Sequence, residues 1–411
     1  MKNQRCKGMR DLLPRDMAGF RHVEDTFRAC CLKCGYQEVR TPTLEYLHLF
    51  TAVGTLTPSM LSKVYSFLDW DGWSGERVVL RPDNTIPVAR LYIDNMSEYK
   101  RARLFYVSNS FIFEETGKKD RERWQCGAES IGGTKLPADA EIISLAREVL
   151  HRLGLDTVTL QLSHAGLVKA LIKELKLRPS EEAKVTSRIL EGDWQALTEV
   201  KSARNELDRF LGPLLNLKGK SGGFLQNVKA LSREASSSFK SSLDDFIETT
   251  TLLDGLKCSY EIDITAIRTF EYYTGICFRF MLNGEKLGGG GRYDNLMSLM
   301  SGNDTTACGF ALYVDPLLKL LRWENEAKPG ILIRGKQTTP EAVEACFGLA
   351  QALRNAEQTV LVDFGEREPC DYRWAISISQ EDLPGFTVTD CREKREWNAA
   401  SPGEVLSIVR G

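Results

Sequence analysis

Between about residues 165 and 257 the chain loses nearly all strand signal, and what flanks that stretch limits the folds open to it. The segment is charged, serine-spotted and helical in its apolar spacing. On both sides of it, short runs rich in β-branched and aromatic residues occur. Val64–Leu68, Val78–Leu80, Leu104–Phe113, Cys126–Ile131 and Val158–Leu162 precede it; Cys258–Ile264, Gly275–Met281 and Cys308–Val314 follow it. Strands on both sides of a helical block predict one sheet domain carrying a helical insertion. The expected class is α+β, with a large antiparallel sheet and flanking helices. Helices are predicted over 16–34, stopped by Gly35, over 84–95, and over 138–153, with Asp139 near the start and Gly154 at the stop. Asp71-Gly72 reads as a hairpin turn.

Lys328-Pro329-Gly330 marks a boundary, giving domains 1–327 and 328–411. The second alternates strand (331–333), helix (340–355) and strand (360–362), with further strands at 374–377 and 387–389. That order predicts a small α/β domain with a mostly parallel sheet. With 411 residues, 42% hydrophobic and 27% charged, an ordinary soluble protein with a sizeable core is expected. A net charge of −2 argues against a strongly basic nucleic-acid binder. There is no apolar run long enough to span a membrane, and MKNQRCKGMRDLLP has no signal core, so a cytosolic location is expected. The chain has 11 cysteines, of which Cys31 and Cys34 form a C-x-x-C pair. No second pair or nearby histidine completes a metal site, so Cys30, Cys31 and Cys34 read as small hydrophobes on a helix with Phe27.

Several motifs occur in one order. They are Gly8-Met9-Arg10-Asp11-Leu12-Leu13-Pro14, Arg40-Thr41-Pro42-Thr43-Leu44-Glu45 and Leu80-Arg81-Pro82-Asp83-Asn84-Thr85. Residues 104–132 follow, then Ile267-Arg268-Thr269-Phe270-Glu271-Tyr272-Tyr273-Thr274-Gly275, Gly288-Gly289-Gly290-Gly291-Arg292-Tyr293-Asp294, and 309–317. In this register the chain resembles histidyl-tRNA synthetases and their paralogues, which have a class II aminoacyl-tRNA synthetase fold. The resemblance covers residues 8 to about 320. It implies that 40–45 is motif 1, which builds a homodimer interface, that 104–132 is motif 2 and that 309–317 is motif 3. Two arginines of that family are missing: Ile112 stands after Phe111 in motif 2, and Pro316 stands before Leu317 in motif 3. Adenylation places negative charge on a phosphate, and a preorganised cation is worth about 3 kcal/mol in such a transition state. Loss of two cations costs roughly 10⁴-fold. Ile112 has no donor, and Pro316 lacks even a backbone N–H. The basic 115–123 loop offers an alternative phosphate contact.

The resemblance also implies an amino-acid pocket. Asp83 and Thr85 can hold a ligand ammonium, and Glu129 with Gln125 can hold an imidazole. Positions 125, 127 and 129 share one strand face, so Gly127 leaves room between the polar groups. Tyr272 and Tyr273 can wall the ring, and Arg268 suits a carboxylate. Plainer roles stand beside these. Asp83 can cap the 84–95 helix, Glu129 can pair with a basic neighbour in the sheet, the tyrosines can be core aromatics, and Gly288–Gly291 can be a tight turn rather than a ligand-approaching backbone. Synthetases carry Glu at the Asp83 position and Arg-Gly-Leu-Asp-Tyr-Tyr where this chain has 268–273.

The C-terminal part resembles the family's anticodon-binding domain but is shortened between Gly365 and Trp374. It carries acids (Glu366, Glu368, Asp371, Glu381, Asp382) where a basic surface would read tRNA. The paralogues that fit best are the regulatory subunits of ATP phosphoribosyltransferase. That likeness implies a non-catalytic chain without metal or cofactor. It would activate a short-form catalytic subunit in the first step of histidine biosynthesis and bind L-histidine as a feedback ligand. An active histidyl-tRNA synthetase, or a synthetase-like pseudoenzyme sensing histidine or tRNA, are the alternatives.

Overall fold

The computed structural model describes residues 5–52, 61–70, 75–113, 120–190, 192–199, 218–219, 222–232, 235–266, 273–321, 330–335, 337–365, 372–379 and 385–410. Arg268, Tyr272, the Asp71-Gly72 turn, most of the motif 2 loop, Lys328-Pro329 and the acids named above in the C-terminal part lie outside the described residues. The chain divides into two compact units, Met1–Arg322 and Trp323–Gly411.

In the first unit, α1 (Pro14–Lys33) opens on a proline, whose fixed φ suits a first helical turn. It ends just before Gly35, which takes the left-handed φ of 76° that favours glycine. Next come β1 (Gln37–Glu38), β2 (Leu44–Tyr46), α2 (Leu47–Thr51), β3 (Ser66–Trp70), β4 (Gly75–Leu80), α3 (Thr85–Asn95), β5 (Ala102–Phe111), β6 (Glu122–Ile131), α4 (Lys135–Arg152) and β7 (Thr159–His164). The expected insertion holds α5 (Ala165–Glu174), α6 (Pro179–Leu190), α7 (Ala196–Glu199), α8 (Gly223–Leu231) and α9 (Ser237–Gly255). It also holds β8 (Lys218–Gly219), which pairs with β9 (Glu261–Asp263), so the insertion supplies an edge strand that its polar texture concealed. β10 (Ile276–Leu282), β11 (Glu285–Arg292), α10 (Asp294–Ser301), β12 (Ala307–Tyr313) and α11 (Val314–Leu320) complete the unit.

Nine strands form one sheet in the order β1-β5-β6-β12-β11-β10-β7-β9-β8. Its pairings are antiparallel except β1–β5 and β7–β9, so the sheet is mixed at its margins. Alternation sends Phe105, Ala128, Phe310, Phe278 and Leu162 to one face, in a core shared with α1, α4, α5 and α9. The opposite face carries Tyr106, Gln125, Gly127, Glu129, Gly309 and Gly291, cross-strand neighbours by register.

The glycine run corrects one expectation. Gly288–Gly291 is neither a turn nor a loop but the middle of β11, paired on both sides. Neighbouring strands crowd it: a Cβ on Gly290 would lie 2.0 Å from the Gly309 carbonyl, and one on Gly289 2.5 Å from that of Phe278. Glycine's poor strand propensity hid this element. Of the C-x-x-C pair, Cys31 is fully buried, whereas Cys34 is exposed at the end of α1 and does not share the core position expected for it.

The second unit holds β13 (Ile331–Arg334), α12 (Pro340–Asn355), β14 (Val360–Asp363), β15 (Trp374–Ser379), β16 (Gly385–Asp390), β17 (Arg395–Ala399) and α13 (Pro402–Arg410). The sheet order is β14-β13-β15-β16-β17. β13 runs parallel to β14 and β15, but β15–β16–β17 is antiparallel, so the sheet is mixed and not mostly parallel. β16, expected as a strand at 387–389, runs antiparallel to β15, and β17 adds a further antiparallel strand.

A separate three-stranded sheet, β2-β4-β3, leaves apolar groups in solvent: Tyr46 is 46%, Phe67 46% and Trp70 69% exposed.

Candidate functional site

Glu129 lies mid-strand on β6, on the face turned away from the helical core, and is 1% exposed. A carboxyl there needs donors. Tyr293, between β11 and α10, donates its hydroxyl to Glu129 Oε2 at 2.6 Å, and Tyr106 of β5 makes a longer contact to Oε1 at 3.4 Å. Thr85 also hydrogen-bonds this carboxyl. Burial pushes the Glu129 pKa up to about 8; the Tyr293, Thr85 and Tyr106 hydroxyls pull it down, while the nearby Asp83 carboxylate adds to the rise. No basic partner of Glu129 is found among the described residues, so the expected alternative of a Lys or Arg pair in the sheet is not what the structure shows there.

The room predicted beside Gly127 is filled. A Cβ there would meet the Tyr106 ring at 2.2 Å, so the glycine admits the phenol that reaches Glu129. Gly309 plays a similar part across the strand pair, since its Cβ would fall 1.6 Å from Glu129 Oε2.

Arg81-Pro82-Asp83-Asn84-Thr85 enters α3 over this face. Arg81 anchors the entry, donating to the carbonyls of Thr41 and Asn109, each at 2.8 Å. Asp83 takes the capping role weighed for it: Oδ1 accepts from the Ile86 amide at 2.9 Å. Burial raises its pKa, and the amides of Ile86, Thr85 and Asn84 oppose the rise. Asn84 Nδ2 donates to Gln125 Oε1 at 2.8 Å, tying the helix start to β6. Tyr273 stands just before β10, and a Cβ on Gly291 would lie 2.9 Å from its ring. Its carbonyl accepts from Lys169 Nζ at 2.8 Å. Behind Tyr293, buried Arg292 pairs with Asp139 of α4 at 2.8 Å and with Asp294 at 3.0 Å. Its carbonyl accepts from the Thr274 amide at 2.7 Å, so one network fixes the segments bearing Tyr273 and Tyr293.

Of the predicted ligand residues, Asp83, Thr85, Gln125, Glu129 and Tyr273 therefore converge, and Arg268 and Tyr272 are not described. Asn84, Tyr106 and Tyr293 join them without having been singled out. A signal for Tyr106 existed in Gly127, because a glycine on a strand face leaves a hole that some neighbour fills. Tyr293 belongs to the Gly288–Asp294 motif, directly after Arg292.

The phosphate side differs. Ile112 follows β5, and Pro316 lies in the first turn of α11. The loop arginines are engaged locally. The Arg121 guanidinium stacks 4.2 Å above the Phe113 ring, and Arg123 Nε donates to the Asp120 carbonyl at 3.2 Å. Next to Pro316, Asp315 pairs with Arg10. An open depression of about 600 Å³ lies elsewhere, near Thr159, Gln161, Glu261 and Arg279, and includes none of the predicted ligand residues.

A largely antiparallel nine-stranded sheet, a motif 2 strand pair and a buried polar cluster above it define a class II synthetase-like protein. A family model described as histidyl-tRNA synthetase matches residues 8–317. An ATP phosphoribosyltransferase regulatory subunit from Dehalococcoides mccartyi is 45% identical over 410 residues, covering 99% of this chain and 98% of the relative. A histidine–tRNA ligase from Caldicellulosiruptor bescii is 34% identical, covering 93% and 90%. A Bacillus halodurans crystal structure, described as an ATP phosphoribosyltransferase regulatory subunit/histidyl-tRNA synthetase, superposes with a TM-score of 0.78 at 26% identity, over 92% of this chain and 98% of that one. The chain belongs to the histidyl-tRNA synthetase family and, within it, to the ATP phosphoribosyltransferase regulatory subunits.

Proposed function

We propose that this chain is a non-catalytic regulatory subunit that binds L-histidine at the Glu129 site and activates a short-form ATP phosphoribosyltransferase catalytic subunit. The observation that carries the reading is an asymmetry. The amino-acid half of a synthetase site is assembled around Glu129, Gln125, Asp83 and Tyr273, while the positions of the two phosphate-clamping cations hold Ile112 and Pro316. Such a site can recognise an amino acid, but it has lost the two cations expected to stabilise charge developing on ATP. Feedback then requires that histidine bind two states of the assembly unequally. The apolar surface of β2-β4-β3, which holds the last two residues of motif 1, supports a homodimer through that sheet.

The test is phosphoribosyltransferase activity of the short catalytic subunit with and without this chain, across a histidine titration. Activity that rises with the chain and falls with histidine is expected. No change, with no co-elution of the two proteins, refutes the reading. Histidine-dependent ATP–pyrophosphate exchange would instead reveal a working synthetase.

A further inference from the structure

Asn84 sits at the entry to α3, where an asparagine side chain ordinarily accepts a hydrogen bond from the first helical N–H groups. It makes no such bond here. Asp83, one residue earlier, has taken that duty. The Asn84 carboxamide turns toward the site face instead, donating to Gln125 Oε1 at 2.8 Å. The residue is 1% exposed, and its Oδ1 has no hydrogen-bond partner. Buried carbonyl oxygens without a donor are rare in folded proteins, and each calls for a partner.

We propose that Asn84 is a specificity-determining residue of this site, its Oδ1 accepting an N–H from the α-ammonium of the bound amino acid while its Nδ2 fixes the Gln125 carboxamide. This deepens the histidine-binding reading and rests on it. An ammonium has three donors to satisfy. Asp83 spends one oxygen on the helix start, and the Thr85 hydroxyl, which bonds Glu129, still offers an acceptor, so the two groups together present two oxygens to three ammonium donors. Asn84 Oδ1 supplies an unspent one. The opposite orientation of the carboxamide would leave Nδ2 unpaired and offer a donor to an anion, but an anion there would face the Asp83 carboxyl. With one lone pair of its Oε1 engaged by Asn84, Gln125 turns its N–H donors to the ligand, which suits the carboxylate end rather than the imidazole expected for it. The pair therefore sets the direction in which an amino acid lies.

The test compares the wild-type chain with Asn84→Ala, titrated with L-histidine, with histidinol, which has the ammonium but no carboxylate, and with imidazole-propionate, which has the carboxylate but no ammonium. Calorimetry serves for tight binding and ligand-observed NMR for weak binding. A hydrogen bond to a charged group predicts an affinity loss of about 10–100-fold for histidine and histidinol. Imidazole-propionate keeps its Gln125 N–H contact and loses only the Asn84 tether behind it, so its loss should be the smallest of the three, about threefold or less. Equal losses for all three ligands would reduce Asn84 to a packing role, and a loss confined to imidazole-propionate would make it a donor; either overturns the proposal. Should the alanine chain not fold, Asn84→Ser is the second variant, with the same expectation because its hydroxyl is too short to reach. A wild-type chain that binds none of the three sinks the histidine reading itself and this inference with it, an outcome distinct from an indifferent variant.

Discussion

Histidine binding by this chain should depend on pH in a bell whose alkaline limb belongs to Glu129. Burial holds that carboxyl at about 8, so in the empty site it is mostly protonated at neutral pH. Free imidazole titrates near pH 6.5. A neutral acid meeting a neutral imidazole shares one proton across the contact. Binding then weakens below about 6.5, where the free ligand is already protonated, and above about 8, where the free site has lost its proton. For those two pKa values, affinity at pH 5.5 and at pH 9 should each be about eightfold below the maximum near pH 7.25. The ligand ammonium also titrates on the alkaline side, so Glu129→Gln is the reference, its alkaline limb lacking the carboxyl's contribution. The same shift has a stability consequence of known sign. A carboxyl whose pKa rises on folding leaves stability unaffected below its unfolded value near 4.5 and lowers it progressively as pH climbs toward 8, by on the order of 5 kcal/mol in full. Glu129→Gln should therefore melt higher than wild type at pH 8.5 and at nearly the same temperature at pH 4.5. Calorimetric titration at the three pH values and thermal melts at the two would check both. A wild-type affinity that tracks the glutamine variant from pH 7 to 9 would refute the reasoning.

Three further outcomes are expected. Gly309→Ala places a methyl 1.6 Å from Glu129 Oε2, so the carboxyl must move, and histidine affinity should fall about 10–100-fold, read by titration. Arg292→Ala leaves Asp139 buried without its cation, and urea denaturation should show a loss of about 3–5 kcal/mol. If β2-β4-β3 forms a homodimer, Tyr46→Asp with Phe67→Asp should give a monomer by light scattering while leaving the melting temperature within about 4 °C, since both side chains are nearly half exposed.

The resemblance named the expected ligand residues, and local periodicity accounts for where they sit. Gln125, Gly127 and Glu129 share a face because strands alternate, and Asp83 stands at a helix start because a proline and an apolar 3.6-residue pattern flank it. Tyr106 and Tyr293 reach Glu129 from 23 and 164 residues away, and no local pattern carries that information. Asn84 was hidden for a subtler reason: whether it or Asp83 caps α3 depends on where Gln125 lies across the sheet. The glycine run misled because intrinsic propensity points to a turn, whereas the spacing of β10 and β12 leaves no room for anything larger in the strand between them.

These contacts also explain how the two halves of a synthetase site can part company. Tyr106 and Tyr293 are 2% and 1% exposed, and both hydroxyls end on Glu129. Replacing that carboxyl with an apolar side chain would leave buried hydroxyls without acceptors, at roughly 1–3 kcal/mol each. Gly127 and Gly309, with no room for a Cβ, tie the same carboxyl to the register of three strands. The proposed amino-acid half is thus coupled to the sheet, and apolar substitutions there strand buried hydroxyls. Ile112 and Pro316 sit differently, one just past a strand end and the other in a helix's first turn, both half-buried. The Ile112 amide already has its partner, the Arg121 carbonyl at 2.9 Å, and a proline in a first helical turn gives up an N–H that the helix would not have used. Exchanging an arginine for either residue strands no buried group and breaks no ladder. Phosphate-binding cations at such positions can be lost with little cost to stability, whereas an apolar residue in place of Glu129 strands two buried hydroxyls.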